Sequence, residues 1–212
     1  MSDFVYIKYD RAQHLLQEAD VLLFRTKGFI SACIRMLGEG LYSHVAIASK
    51  YNDFFEVIEY KEWFGGRTTN LENYVKLSKE NKTEIDVYRV CPKLSHLEFD
   101  PLLDDVKYKQ VNFDGREVTE CMRKLTGLPY SYRRIFLILK IKLFRWHILW
   151  DIKKITNEIP TQEVIYPVCS TVLEHCFAIK GFPILKRKSD QFTEPSDFSR
   201  SPRLNYLFTL DI

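Results

Sequence analysis

The feature that most limits what this chain can fold into is a series of short apolar runs, each closed by turn-forming residues, with helical stretches between and after them. Asp20–Arg25 (DVLLFR) is a compact apolar run of the kind found in a buried strand. His44–Ala48 and Phe54–Tyr60 are two more, parted by the turn-prone Tyr51-Asn52-Asp53. Glu84–Val90 (EIDVYRV) alternates polar and apolar residues, the period of a half-buried strand. Gly28–Leu37 instead spaces Phe29, Ile30, Cys33, Ile34 and Leu37 as on one helical face, and Gly38 and Gly40 end it. Phe113–Leu125 and Cys169–Ile179 repeat the helical pattern and stop at Gly127/Pro129 and Gly181/Pro183. This mixture predicts an α+β fold.

Residues 1–19 read as a lead-in with a short helix over Arg11–Glu18. Cys91–Gln110, with Pro92 and Pro101, reads as irregular, and the tail from Thr193 as a packed loop ending in a strand at Tyr206–Leu210. No repeat, low-complexity tract or linker interrupts the chain. Its 212 residues are read as one domain, 1–212, large enough to bury a core. The apolar fraction of 46% excludes a disordered chain. With 31 basic against 28 acidic residues, the charge balance gives no reason to expect nucleic acid.

Cys33, Cys91, Cys121, Cys169 and Cys176 are odd in number and scattered, with no Cys-x-x-Cys pair. That pattern predicts neither a disulfide framework nor a zinc site, and suggests a reducing compartment. The N-terminal residues carry no apolar core of signal-peptide length, so a cytoplasmic location is expected, with virion association left open. No cofactor is implied.

Tyr132–Ile155 stands apart. Ile135–Leu139, Leu143, Phe144, Trp146 and Trp150 are interleaved with Arg133, Arg134, Lys140, Lys142, Arg145, Lys153 and Lys154. Its longest apolar run is far too short to span a bilayer. On a helical wheel the cations scatter, whereas an interfacial helix would gather them on one face. The stretch is read as a helical basic-aromatic insertion, about 132–160, packed on its own domain; a membrane or protein contact through Tyr132–Ile155 is the alternative.

Two residues carry the chemistry. Cys169 opens a helix, where the positive end of the macrodipole favours a thiolate. His44 opens a strand, Ser43-His44-Val45-Ala46-Ile47. A thiol nucleophile needs a histidine base and a third group to fix the imidazole tautomer. A lone buried cysteine is ordinarily a small hydrophobe, as Cys176 within the helix is read, and a lone histidine beside an apolar run is ordinarily a core residue. The next strand offers Glu56 and Glu59, which strand alternation sends to opposite faces. Glu59 is the first choice for the third residue and Glu56 the second.

Around these residues the sequence resembles the permuted NlpC-type papain-like cysteine hydrolases, including YiiX-like members. DVLLFRTKGFISACIRMLGEGLYSHVAIA is similar to the family's opening strand, helix and Ser-His-Val strand. VIEY matches the strand bearing its polar third residue, and LTGLPYSY its Leu-Gly-x-Pro-Tyr segment. VCSTVL matches the Cys-Ser nucleophile helix, and EPSDFSRSPRL the C-terminal Pro-Ser-Asp segment. The matches keep the family's order across residues 20–204. The resemblance implies a circularly permuted papain-like fold, a small antiparallel sheet or barrel packed against the nucleophile helix, in which histidine precedes cysteine. It further implies catalysis by Cys169, His44 and Glu59, with Tyr130 lending its hydroxyl and Cys169 its backbone amide to the oxyanion. Ser43 and Ser170, beside the pair, are further oxyanion- or substrate-binding candidates. No metal is called for.

The expected activity is therefore that of a cysteine hydrolase forming a thioester. Its substrate is an amide, in a peptide or peptidoglycan, with a lipid-like ester or acyl transfer as the alternative. A non-catalytic virion or partner-binding protein on the same scaffold is the rival from another class.

Overall fold

The computed structural model describes residues 4–27, 31–32, 35, 40–81, 83–91, 96–100, 105–109, 113–130, 168–185 and 193–211. In chain order the elements are β1 (Tyr6–Lys8), α1 (Tyr9–Ala12), β2 (Val21–Arg25), β3 (His44–Tyr51), β4 (Phe54–Lys61), β5 (Gly65–Asn70), α2 (Leu71–Asn81), β6 (Glu84–Val90), β7 (His96–Asp100), β8 (Asp105–Lys109), α3 (Gly115–Lys124), α4 (Cys169–Ile179), α5 (Pro195–Ser199) and β9 (Leu204–Asp211). Seven strands form one sheet in the order β1-β9-β6-β2-β3-β4-β5. Its pairs are antiparallel except β1 with β9, which is parallel. The sheet is thus open and mixed, where a small antiparallel sheet or barrel is expected from sequence.

Alternation along the strands makes two cores. Val21, Leu23, Val45, Ile47, Ile58 and Tyr60 pack with Val118, Met122, Val172, Leu173 and Phe177, on the face covered by α3 and α4. Leu22, Phe24, Ala46, Ala48, Val57 and Ile85 pack with Ala12, Leu71, Tyr74 and Val75, on the face covered by α1 and α2. This explains why Asp20–Arg25 is a continuous apolar run: β2 is central and buried on both sides.

The turn between β3 and β4 places Asn52 at φ 50, a left-handed position asparagine tolerates. That turn sets the register pairing Ala46 with Glu59. On the other side of β3, Phe24 pairs with His44. Ahead of His44, the Tyr42 hydroxyl donates to Asp86 Oδ2 (2.6 Å), and its backbone N–H donates to Ser196 Oγ (3.1 Å). The Pro-Ser-Asp segment therefore anchors the approach to His44.

Several expectations need correction. The lead-in helix is a single turn, Tyr9–Ala12, and the stretch 91–110 contains the β7–β8 hairpin. The tail forms α5 before a strand that extends over Leu204–Asp211. Cys121 on α3 and Cys176 on α4 form a disulfide, contrary to the expectation from scattered cysteines. Each lies on a helix face turned to its neighbour, a proximity that spacing in sequence cannot show. A disulfide also fits poorly with the reducing compartment inferred from those cysteines. The Gly28–Leu37 helix lies mostly outside the described residues, although Ser31, Ala32 and Arg35 are helical. The 132–160 insertion lies wholly outside them.

Candidate active site

His44 is the first residue of β3 and Glu59 the sixth of β4, and both are buried, at 8% and 0% exposure. His44 Nε2 and Glu59 Oε2 are 2.7 Å apart. Cys169 also hydrogen-bonds the imidazole; with Nε2 committed to Glu59, Nδ1 is the nitrogen left for the sulfur. Cys169 is buried and outside the disulfide. His44 stands at the end of its strand, within reach of both Glu59 on the adjacent strand and Cys169 at the opening of α4.

The start of α4 is shaped by its own side chains. Val168 is extended (φ −120°, ψ 156°), and its N–H donates to Thr171 Oγ1 (3.2 Å), while Val172 N–H bonds back to Val168 O (3.1 Å). The amides of the first turn that precede Val172, Cys169's among them, have no carbonyl within the helix to receive them. They point where negative charge is favoured.

Glu59 is saturated with donors. Arg67, its cross-strand partner on β5, gives Nε (2.8 Å) and Nη2 (2.6 Å) to Oε1. The Tyr74 hydroxyl, from α2, donates to Oε2 at 2.9 Å. Burial disfavours the carboxylate, but His44, through hydrogen bond and charge, then Lys61 and Arg67, hold its pKa down at about 2. For His44 burial opposes protonation. The charge and hydrogen bond of Cys169 and those of Glu59 overcome this, and its pKa stands at about 10. Burial, then the charge of Glu59, pushes the Tyr74 hydroxyl well above its ordinary value, so it remains a donor. The arrangement places an imidazole, fixed in orientation by Glu59, against the sulfur of a free cysteine.

The other named residues fall as follows. Glu56 faces away from His44 and pairs with Arg123 at 2.8 Å, so only Glu59 meets the imidazole. Tyr130 packs against the core cluster that contains Cys169. Its segment is tied to β5 by Gly66 N–H to Leu128 O (3.0 Å) and Gly127 N–H to Gly66 O (2.9 Å). Ser43 Oγ donates to Phe24 O (3.3 Å) and Ser170 Oγ to Thr193 O (2.6 Å), so both hydroxyls tie backbone segments together. Ser43 also lines a cavity of about 330 Å³ beside His44.

Arg67 and Tyr74 are the residues sequence reading missed. Tyr74 had a signal: Leu71, Tyr74, Val75 and Ser78 are buried at helical spacing on α2. Arg67 had none, since GGRTTN becomes a strand only by pairing with β4.

No protein-family model matches the chain, and no curated protein matches it. Among solved structures it is similar to the crystal structure of the metalloprotein YiiX from Escherichia coli O157:H7. That likeness has a TM-score of 0.57 at 12% identity, and covers 90% of this chain and 96% of the other. At that identity the likeness shows a YiiX-like fold alone. The neighbour is described as a metalloprotein, but among the described residues here no group of three or more His, Cys, Asp or Glu could hold a metal ion. Glu59 and His44 Nε2 already spend their donor atoms on one another, Arg67 and Tyr74, so the donor set does not fit a metal. Among the described residues no helix is long and apolar enough to cross a membrane.

Proposed function

We propose that this chain is a cysteine hydrolase on a permuted papain-like scaffold, cleaving an amide bond through a thioester. The observation that carries this reading is a single buried imidazole bonded to both a free cysteine and a saturated carboxylate. Cys169 Sγ attacks the carbonyl carbon, and the carbonyl electron pair moves onto oxygen. The first-turn amide of Cys169 and the Tyr130 hydroxyl receive that oxyanion. On collapse, the C–N bond breaks and His44 protonates the departing amine, leaving the thioester. Water, deprotonated by His44, attacks it and frees the carboxylic acid and the thiol. Arg67 and Tyr74 act as positioning residues through Glu59.

A peptide or peptidoglycan fragment is the first substrate class, with a lipid-like ester or acyl acceptor as the second. Contact with a membrane or protein through Tyr132–Ile155 belongs to the same proposal. The test profiles both substrate classes with the wild type and Cys169→Ala. Turnover and labelling by a thiol-reactive probe are expected to vanish in the variant. Turnover that survives it would refute the mechanism. Absence of turnover in the wild type, with Cys169 no more reactive than Cys91, would favour a non-catalytic scaffold.

A further inference from the structure

The cavity beside His44 holds charge that cysteine chemistry does not use. Lys27, Lys61 and Arg67 line it, and Glu62 is the acid in its wall. Lys61 stands two residues beyond Glu59 on β4 and so shares its face. Arg67 lies directly across from Glu59 on β5 and spends Nε and Nη2 on it. Its Nη1 is paired with nothing among the described residues, and its side chain is 28% exposed. The Lys61 ammonium donates to the Tyr74 hydroxyl (3.2 Å) and stands 5.0 Å from the centre of that ring, which leaves protons to spare. Lys27 has no ion pair among the described residues. Three cations thus meet two carboxylates, Glu59 and Glu62, before the imidazole of His44 is counted. A walled cleft with such an excess concentrates anions beside the imidazole that hydrogen-bonds Cys169. Its volume of about 330 Å³ lies at the small end of ligand sites, the size of a head group.

We propose that this cavity is the subsite for an anionic group, carboxylate or phosphate, borne by the acyl donor close to the carbonyl that Cys169 attacks. The inference rests on Cys169 as nucleophile, and it names the substrate class of that site. The anion would sit against Lys61, Lys27 and the spare Arg67 nitrogen, with Trp63 and Leu77 in the wall beside the uncharged part.

The test is an NMR titration of Cys169→Ala, which keeps the cavity wall and removes the nucleophile. The probes are monomethyl succinate, an anionic ester, and dimethyl succinate, its neutral counterpart. The anionic ester is expected to bind at least about tenfold more tightly at low ionic strength, with that preference shrinking several-fold in about 0.5 M salt as charges are screened. Adding Lys27→Met and Lys61→Met should cut the preference several-fold, Arg67 being left in place. Equal binding of the two probes, or a preference undiminished by the double substitution, overturns the proposal. If the double variant does not fold, Lys27→Met alone carries the readout: a several-fold loss supports the subsite and an unchanged preference overturns it. Competition by inorganic phosphate against acetate assigns the anion to the stronger competitor; competition by neither overturns the subsite. Failure of the catalytic reading is seen separately: wild-type protein that shows the anion preference yet never hydrolyses mono-4-nitrophenyl succinate, an activated ester that carries the anion, keeps the anion site and loses the acyl chemistry.

Discussion

Glu59→Gln removes one charge from a fully buried cluster and keeps the size of the side chain. Glu59 is held at a pKa of about 2 against an ordinary 4.5. A tenfold change in proton affinity corresponds to about 1.4 kcal/mol, so the ionised carboxylate contributes on the order of 3 kcal/mol to folding at neutral pH. The sign follows from the direction in which the pKa moves. A carboxylate held below its unfolded value stabilises fully above about 4.5, and that contribution is lost as pH falls through about 2. The amide also leaves Arg67 facing an uncharged partner and withdraws the anion that orients and charges His44. By analogy with loss of the orienting carboxylate in other nucleophile–histidine sites, kcat should fall by about 10²–10⁴-fold. Two assays check this. Urea unfolding across the acid range up to neutral pH should show the wild type losing stability on the acid side while the variant, already weaker at neutral pH, shows a flatter limb. Steady-state kinetics on whichever substrate the wild type turns over should show the drop in kcat. A variant with wild-type kcat and an unchanged acid limb would refute the reasoning, because Glu59 would then be neither a functional anion nor a stabilising one.

Tyr74→Phe deletes one hydroxyl donor to Glu59 and should cost about 2 kcal/mol of stability, the usual value for a hydrogen bond to a charged group; urea midpoints and the acid limb of the pH–rate profile would both shift. His44, held up at about 10 against 6.5, stabilises fully below 6.5 and loses that contribution as pH rises through 10, so unfolding free energies should decline over that window in the wild type and not in His44→Gln. Cys121→Ser opens a loop of 55 residues between α3 and α4, and chain entropy sets its cost at up to about 4 kcal/mol. Melting with and without reductant checks this: the wild type should drop toward the variant when reduced, and the variant should not respond.

The chain's local patterns were informative where a residue's fate depends on its neighbours in sequence. The apolar run of β2, the start of α4 at Cys169 and the opposite facing of Glu56 and Glu59 all follow from period and capping, which act over a few residues. The β7–β8 hairpin was hidden because Pro92 and Pro101 dominate the local reading, yet both lie outside the paired residues. β5 was hidden because Gly65-Gly66-Arg67 has no strand pattern of its own.

By itself, then, the sequence determined which residues are chemically able: a cysteine at a helix opening, a histidine at a strand opening, and on the next strand two glutamates on opposite faces, of which one can meet the histidine. Only the tertiary structure decided that Arg67 and Tyr74 would clamp that glutamate and that Cys121 would meet Cys176. It alone set a cationic cavity beside the imidazole. Those pairings join elements through strand register and helix packing, and such long-range contacts leave no mark in the spacing of residues along the chain.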